Sequence, residues 1–319
     1  MSRIQPAAEA YVEPHLRWRF LNADDADEVE HFRGQLEALD NSVLSGLSAA
    51  VFEGGSEQAE GLAVGGWDAY NSLSAFSSGV VVSTDPLRLY LMGGVHPVHR
   101  HMLIGTAMLK WQVARAIAWR DAKHPGVPMW LGCYAELGRP GLERVAAAHG
   151  FRPERYYYDL FRDLTTKIKV PDADGIAVEP FCDSDAEEVR VLHNLCFRPL
   201  GGSDVDVPEW EGHLGEPEFR ADWSFVARDG ERIVGYAMSV EDDGEPGCGW
   251  TERFGVHPDY RRRGISLTLL GKCLLAMRGS GCTEAGIGID TPDGYGLSKL
   301  TEALGYVKRD AVALLSRVV

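Results

Sequence analysis

No run in this chain is apolar for long enough to cross a bilayer, which takes roughly 18 or more residues. None of its six cysteines belongs to a C-x-x-C pair, and there is no H-E-x-x-H helix or Cys/His cluster, so no metal is expected. Positive charge is scarce: 32 Lys and Arg stand against 47 Asp and Glu, for a net charge of −15. Such a balance argues against nucleic acid as a partner, because phosphate backbones need a basic surface. It is compatible with a cationic small substrate such as an amine. Met1-Ser-Arg-Ile-Gln-Pro lacks the apolar segment of a signal peptide, so a cytoplasmic, non-membrane protein is expected. In that setting Cys133, Cys182, Cys196, Cys248, Cys273 and Cys282 are read as reduced thiols, mostly in the core.

What is present is a repeat. Val95-His-Pro-Val-His-Arg-His-Met-Leu-Ile-Gly105 and Val256-His-Pro-Asp-Tyr-Arg-Arg-Arg-Gly-Ile-Ser266 lie at a constant offset of 161 residues. Each follows an apolar run suited to a strand and precedes apolar periodicity suited to a helix. His149-Gly-Phe151 and Leu304-Gly-Tyr306 form a second correspondence, each closing a helix at a Gly that suits the left-handed residue there. A chain of 319 residues with 45% hydrophobic content has material for two cores. Two domains are expected, 1–165 and 166–319, with the boundary in the polar stretch Thr165–Gly175.

The elements correspond between halves. Strands are expected at Trp18–Leu21 and Ile176–Glu179, followed by helices at Asp25–Leu39 and Ala186–Cys196. Asp229-Gly230 turns a hairpin between Trp223–Arg228 and Arg232–Val240, and Gly249–Val256 follows. The first half offers Gly79–Val82 and Leu87–Val95, while the Gly- and Ser-rich region Gly54–Ser78 receives no strand. Helices at Ile104–Trp119 and Ile265–Arg278 lead to strands at Pro128–Tyr134 and Ala285–Ile289. Tyr156–Phe161 and Ala311–Val318 close the two halves.

The repeated turn suggests a chemistry. A helix start leaves about four N–H groups unpaired and carries partial positive charge. A diphosphate satisfies those donors where a Gly lets it approach, and Arg261, Arg262 and Arg263 add charge-assisted contacts. The plainer alternative is a solvated basic turn with a helix-capping Gly. His96 and His257 share one place in the motif and are expected to be solvated histidines.

The segment Arg261-Arg-Arg-Gly-Ile-Ser266, set between strand and helix, resembles the Arg/Gln-x-x-Gly-x-Gly/Ala signature of the Gcn5-related N-acetyltransferases. The resemblance spans nearly the whole chain as two tandem copies, a layout also similar to tandem members of actinobacterial antibiotic pathways. It implies an α+β fold of two domains, each a mixed, mostly antiparallel sheet flanked by helices. It also implies acetyl-CoA, or another acyl-CoA, as co-substrate, and a small-molecule amine as acceptor for a monomeric or homodimeric protein. In the second half the cofactor would be held by Phe254, Gly255, Val256, Arg261, Arg262, Arg263, Gly264, Ile265 and Ser266. In the first half the matching residues are Gly94, Val95, Arg100, His101, Met102, Leu103, Ile104, Gly105 and Thr106. There Leu103 replaces the first Gly, so that domain is either structural or a weaker acetyl-CoA holder.

The resemblance further assigns roles. Glu252 stands where many members carry the glutamate that takes the proton of the acceptor ammonium; its alternative is a strand carboxylate paired with Arg253. The matching residue of the first half is Leu91. The backbone N–H of Val256 would polarise the thioester carbonyl. The usual Tyr on the last helix is replaced by Thr301 and Ala146; Tyr295 is read first as a packing or loop residue, and its alternative is a substitute proton donor. Acyl transfer in the second half is the expectation, and a non-catalytic acyl-CoA sensor or carrier is the alternative.

Overall fold

The computed structural model describes residues 12–40, 57–58, 61–138, 140–173, 175–200, 203–242, 247–291 and 297–319. They divide into two compact units: Met1–Tyr157 with Asp310–Val319, and Tyr158–Arg309. This differs from a cut at residue 165, because the last ten residues belong to the first unit. Among the described residues no helix is long and apolar enough to cross a membrane, and no group of three metal-ligating side chains gathers.

Unit 1 contains β1 (Arg17–Phe20), α1 (Ala26–Asp40), β2 (Glu57–Gln58), β3 (Val64–Trp67), β4 (Leu73–Thr84) and β5 (Leu87–Val95). There follow α2 (Ile104–Lys123), β6 (Trp130–Glu136), α3 (Pro140–Ala148) and the start of β7 (Arg152–Asp163). Its sheet runs β1-β3-β4-β5-β6 and is completed beside β6 by β13 (Val307–Val318), from Asp310 onward. Pairing is antiparallel except between β5 and β6. The region left without strands on the sequence holds β3 and the start of β4. Its burial is continuous rather than alternating, so the two-residue period that marks a strand is missing there.

Unit 2 repeats the plan with β8 (Ala177–Pro180), α4 (Ala186–Phe197), α5 (Val207–Leu214), β9 (Phe225–Asp229), β10 (Arg232–Glu241) and β11 (Cys248–Val256). Then come α6 (Ile265–Gly279), β12 (Glu284–Thr291) and α7 (Leu297–Leu304). The order is β8-β9-β10-β11-β12-β7, antiparallel from β8 to β11 and parallel between β11 and β12. A mostly antiparallel sheet flanked by helices, the expected α+β fold, is therefore present twice.

Apolar residues of α6 pack on the sheet in one core that includes Ile265, Leu269, Leu270 and Leu274. The segment expected as a polar linker joins this core. Ile168 and Ala173 are buried, and Thr268 Oγ1 donates to the Pro171 carbonyl at 2.9 Å. Val170 lies so close to Gly271 that a Cβ there would meet it at 2.9 Å. Gly150 and Gly305 adopt φ of +83° and +75°, the left-handed helix ends anticipated for both triplets.

Candidate active site

The repeated turn has one backbone course in both units. In unit 2, Gly264 precedes α6 with φ +81° and Arg262 has φ +65°; in unit 1, Leu103 precedes α2 with φ +62° and His101 has φ +65°. Leu103 thus holds a left-handed conformation that favours Gly, with its side chain 75% exposed. Neither helix start has a side-chain cap, so the first-turn N–H groups remain open to an anion. His96 and His257 are not free histidines. Each accepts at Nδ1 from the N–H two residues on, Val98 and Asp259, at 3.3 Å, capping the short 3₁₀ turn between strand and helix.

Charge separates the two turns. Arg100 donates through Nε to the Val95 carbonyl at 3.0 Å and forks onto Asp40 at 2.8 and 2.5 Å. Arg261 repeats the first contact, to the Val256 carbonyl at 3.2 Å. Among the described residues, however, Arg261, Arg262 and Arg263 form no ion pair, and Arg263 lies over the Tyr260 ring. The unit 2 turn therefore presents uncompensated guanidinium groups, backbone donors and a Gly together, which suits a pyrophosphate.

Next to each turn the sheet opens. The parallel pairing of β5 with β6 ends at Tyr90↔Gly132, and that of β11 with β12 ends at Thr251↔Ile287. Beyond those points, among the described residues, Leu91–Val95 and Glu252–Val256 have no strand partner on that edge. His257 N donates to the Val234 carbonyl at 2.9 Å, so by alternation the Val256 N–H points to the other edge, into the opening. In unit 1 the opening is a cavity of about 980 Å³, bounded by Met92–Val95, Tyr134, the turn and Leu142 of α3. That size suits an extended organic ligand.

The far side of the opening differs most. On β11 the register passes from Met238↔Arg253 to Ser239↔Thr251, leaving Glu252 as the extra residue of a β-bulge. A bulge re-aims its side chain, and Glu252 meets His213 of α5, with Oε2 3.0 Å from Nε2, an ion-pair contact rather than an aligned hydrogen bond. Arg253 Nε lies 3.6 Å from Glu252 Oε1, and its guanidinium lies over the Trp210 ring. Asp206 caps α5 by accepting from Glu209 N, and Trp210 and His213, three apart, share its buried face. His193 of α4 places Nδ1 2.7 Å from the Tyr236 hydroxyl and stacks on Phe197.

These contacts set protonation. Burial pulls the Glu252 carboxyl upward, but His213 and Arg253 outweigh it and hold the group below its ordinary value. The same contact with Glu252 raises His213 against its own burial. Burial, helped by the charge on Arg253, takes His193 down to about 4. At neutral pH the site thus sets an ionised Glu252 beside a His213 that keeps its proton to higher pH than an ordinary histidine, and beside a neutral His193.

Among the described residues unit 1 differs at this position. Leu91 pairs regularly with Gly79 and is buried, because the β4–β5 bulge falls between Val81 and Ser83 instead. Phe32 of α1 and Phe76 of β4 meet edge to face in a cluster with Trp67 and Leu73, where unit 2 sets His193 of α4 against Tyr236 of β10.

The structure brings together Glu252, Val256 and the unit 2 turn. Tyr295 lies outside the described residues. His213, His193, Tyr236 and Arg253 are site residues that sequence reasoning missed. The capped run Asp206-Val-Pro-Glu-Trp-Glu-Gly-His213 is the signal that was available for His213. Of the cysteines Cys182 is exposed and the other five are buried, without disulfides; burial pushes Cys273 up to about 12, an inert thiol.

Two copies of a sheet that opens beside a helix-starting anion turn match the layout that the resemblance to acetyltransferases implies. Comparison with known proteins agrees. The family described as Acetyltransferase (GNAT) matches residues 187–306. An acetyltransferase of Sodalis glossinidius is 30% identical over 142 residues, 93% of its length and 44% of this chain. One of Yersinia enterocolitica is 29% identical over 144 residues, 95% of its length and 44% of this chain. A GCN5-related N-acetyltransferase of Sphaerobacter thermophilus shares the fold at TM-score 0.64 and 20% identity, covering 96% of both chains. A tandem GNAT protein from the clavulanic acid biosynthesis pathway does so at 0.53 and 17%, covering 95% of this chain and 98% of its own. The chain belongs to the GNAT family, and it is an N-acetyltransferase.

Proposed function

We propose that unit 2 transfers an acyl group from acetyl-CoA, or another acyl-CoA, to the amine of a small metabolite by direct attack. The observation that carries this reading is the asymmetry at one position: Glu252 bulges from β11 toward His213, while Leu91 is buried in β5. Acyl-CoA supplies the activated thioester. An alkylammonium near pKa 10.4 must first lose a proton, which the ionised Glu252 accepts. The nitrogen then forms a bond to the carbonyl carbon, and the N–H of Val256 donates to the oxygen as charge develops there. As the C–S bond breaks the nitrogen, cationic after attack, gives up its second proton, which the departing thiolate takes; with a thiol pKa near 8.5 it is a tolerable leaving group without a dedicated tyrosine. Phe254, Gly255 and the residues Arg261–Ser266 hold the coenzyme.

Unit 1 suits the role of a non-catalytic acyl-CoA holder. Its turn keeps the backbone course, its opening keeps a cavity of about 980 Å³, and Leu91 stands where unit 2 has Glu252. Gly94, Val95 and the residues Arg100–Thr106 would make those contacts, with Arg100 already neutralised by Asp40. Weaker retention than in unit 2 follows.

An amine panel with acetyl-CoA, monitored by free thiol release, tests the reading. Glu252→Gln is expected to lower kcat/KM by about 100-fold, the usual scale for a lost general base. Full activity in that variant, with an unchanged pH–rate profile, would remove Glu252 from the mechanism. Native mass spectrometry is expected to count two bound coenzymes, the second lost first on dilution.

A further inference from the structure

Neighbours on an unbroken strand face opposite sides of the sheet. The bulge at Glu252 cancels that alternation, so Glu252 and Arg253 both meet residues of α5, His213 and Trp210 respectively. A carboxylate and a guanidinium therefore stand side by side where the acceptor amine must sit. Their closest approach, 3.6 Å, exceeds the roughly 2.7–2.9 Å of a charge-assisted hydrogen bond. Apart from that approach and its stacking over Trp210, the Arg253 guanidinium has no hydrogen bond among the described residues, although its side chain is only 25% exposed. Five N–H donors in a planar fork, mostly withdrawn from water, are left for an anion.

Charge nearby points the same way. His213 faces Glu252 at Nε2 (3.0 Å), Glu216 spends its contact on His213 Nδ1 at 3.1 Å, and His193 is neutral. Among the described residues the ion-pair contact of Arg253 is the loose one to Glu252, so an arriving ammonium can take Glu252 and an arriving anion can take the Arg253 fork. Partners under 4 Å apart require an acceptor whose amine and anion are equally close.

We propose that Arg253 binds the carboxylate of the acceptor, which makes the acceptor class α-amino acids with the amino group directed at Glu252. This rests on acyl transfer in unit 2. In an α-amino acid one carbon separates nitrogen from carboxylate, so both groups reach their partners together. A diamine would set its second cation against Arg253, and a simple amine would leave the fork unanswered.

The test compares matched acceptors with the whole protein and acetyl-CoA: free α-amino acids, the corresponding α-amino amides, and the amines that lack the carboxylate. For the preferred side chain, kcat/KM of the acid is expected to exceed that of both partners by about 30-fold, the scale of a bidentate charged contact. Arg253→Gln is expected to reduce that ratio to a few-fold, and Arg253→Lys to restore part of it. Native mass spectrometry of the same variants with acetyl-CoA checks that they remain folded and loaded. Amides and amines turned over as well as acids by the unaltered protein would overturn the proposal, as would a preference that survives in Arg253→Gln. If no amine of any class releases thiol from bound acetyl-CoA, the transfer reading itself fails and this inference with it. The two failures are thereby distinguishable.

Discussion

His213 and Glu252 tune each other, and that coupling sets a pH dependence. In the folded protein Glu252 is ionised at a lower pH than an ordinary carboxyl, so base-dependent activity should persist down through the usual carboxylate range. Burial is the largest influence on Glu252 and acts upward; the His213 contact opposes it. Replacing His213 with Gln leaves burial unopposed by that partner. The acidic limb of kcat/KM is therefore expected to move to higher pH in His213→Gln, as read from a pH–rate series. A limb that stays in place would show that His213 does not tune the base. The stability consequence has the usual carboxylate sign: Glu252 contributes stability above its unfolded pKa, and this is lost as pH falls through the lower folded value. Glu252 itself was legible in the sequence, through its distance from the motif. Its partners were not, because His213 and His193 stand in segments without a motif and acquire meaning only through contact.

The turn before α2 shows how an element can outlast its preferred residue. The φ of +62° at Leu103 costs an L-residue about 1 kcal/mol, and the 75% exposed side chain recovers little by packing. Leu103→Gly is thus expected to stabilise unit 1 by up to about 1 kcal/mol in urea unfolding, the entropy of the added glycine offsetting part of the gain. Destabilisation would mean that Leu103 makes contacts worth more than its strain. The same turn also explains what was readable. Strand, turn and helix signals are local, so β5, α2, β11 and α6 were placed from sequence to within a few residues. β3 escaped because Gly65 and Gly66 offer no alternation, and because the neighbouring Trp18 and Trp67 rings occupy the space their side chains would need. The bulge escaped because a one-residue shift in pairing leaves no mark on composition.

At the scale of the whole molecule, the chain's end belongs to its first unit. Residues 312–318 pair along β6, and Ala311 to Leu315 are all buried. Burying an apolar side chain contributes roughly 1.5–3 kcal/mol, so losing several exceeds the margin of an ordinary domain. Deleting Asp310–Val319 is therefore expected to abolish hydrogen-exchange protection in β5 and β6, far from the deletion in sequence. Protection that persists in β6 would show that unit 1 does not depend on this strand. A continuous apolar terminal run is visible in the sequence as a strand, but the edge it will join is not.

Local patterns determined the doubling, the anion turns, the helix-ending glycines and the likeness to an acetyltransferase family, because each depends on residues within a turn or two. Tertiary structure decided the rest: which strand edges meet, where the sheet opens, that Glu252 bulges while Leu91 stays in register, and that His193 meets Tyr236 in one unit while Phe32 meets Phe76 in the other. Those outcomes come from pairing and packing between residues far apart in sequence, where many partners satisfy the same local pattern and only close packing selects one.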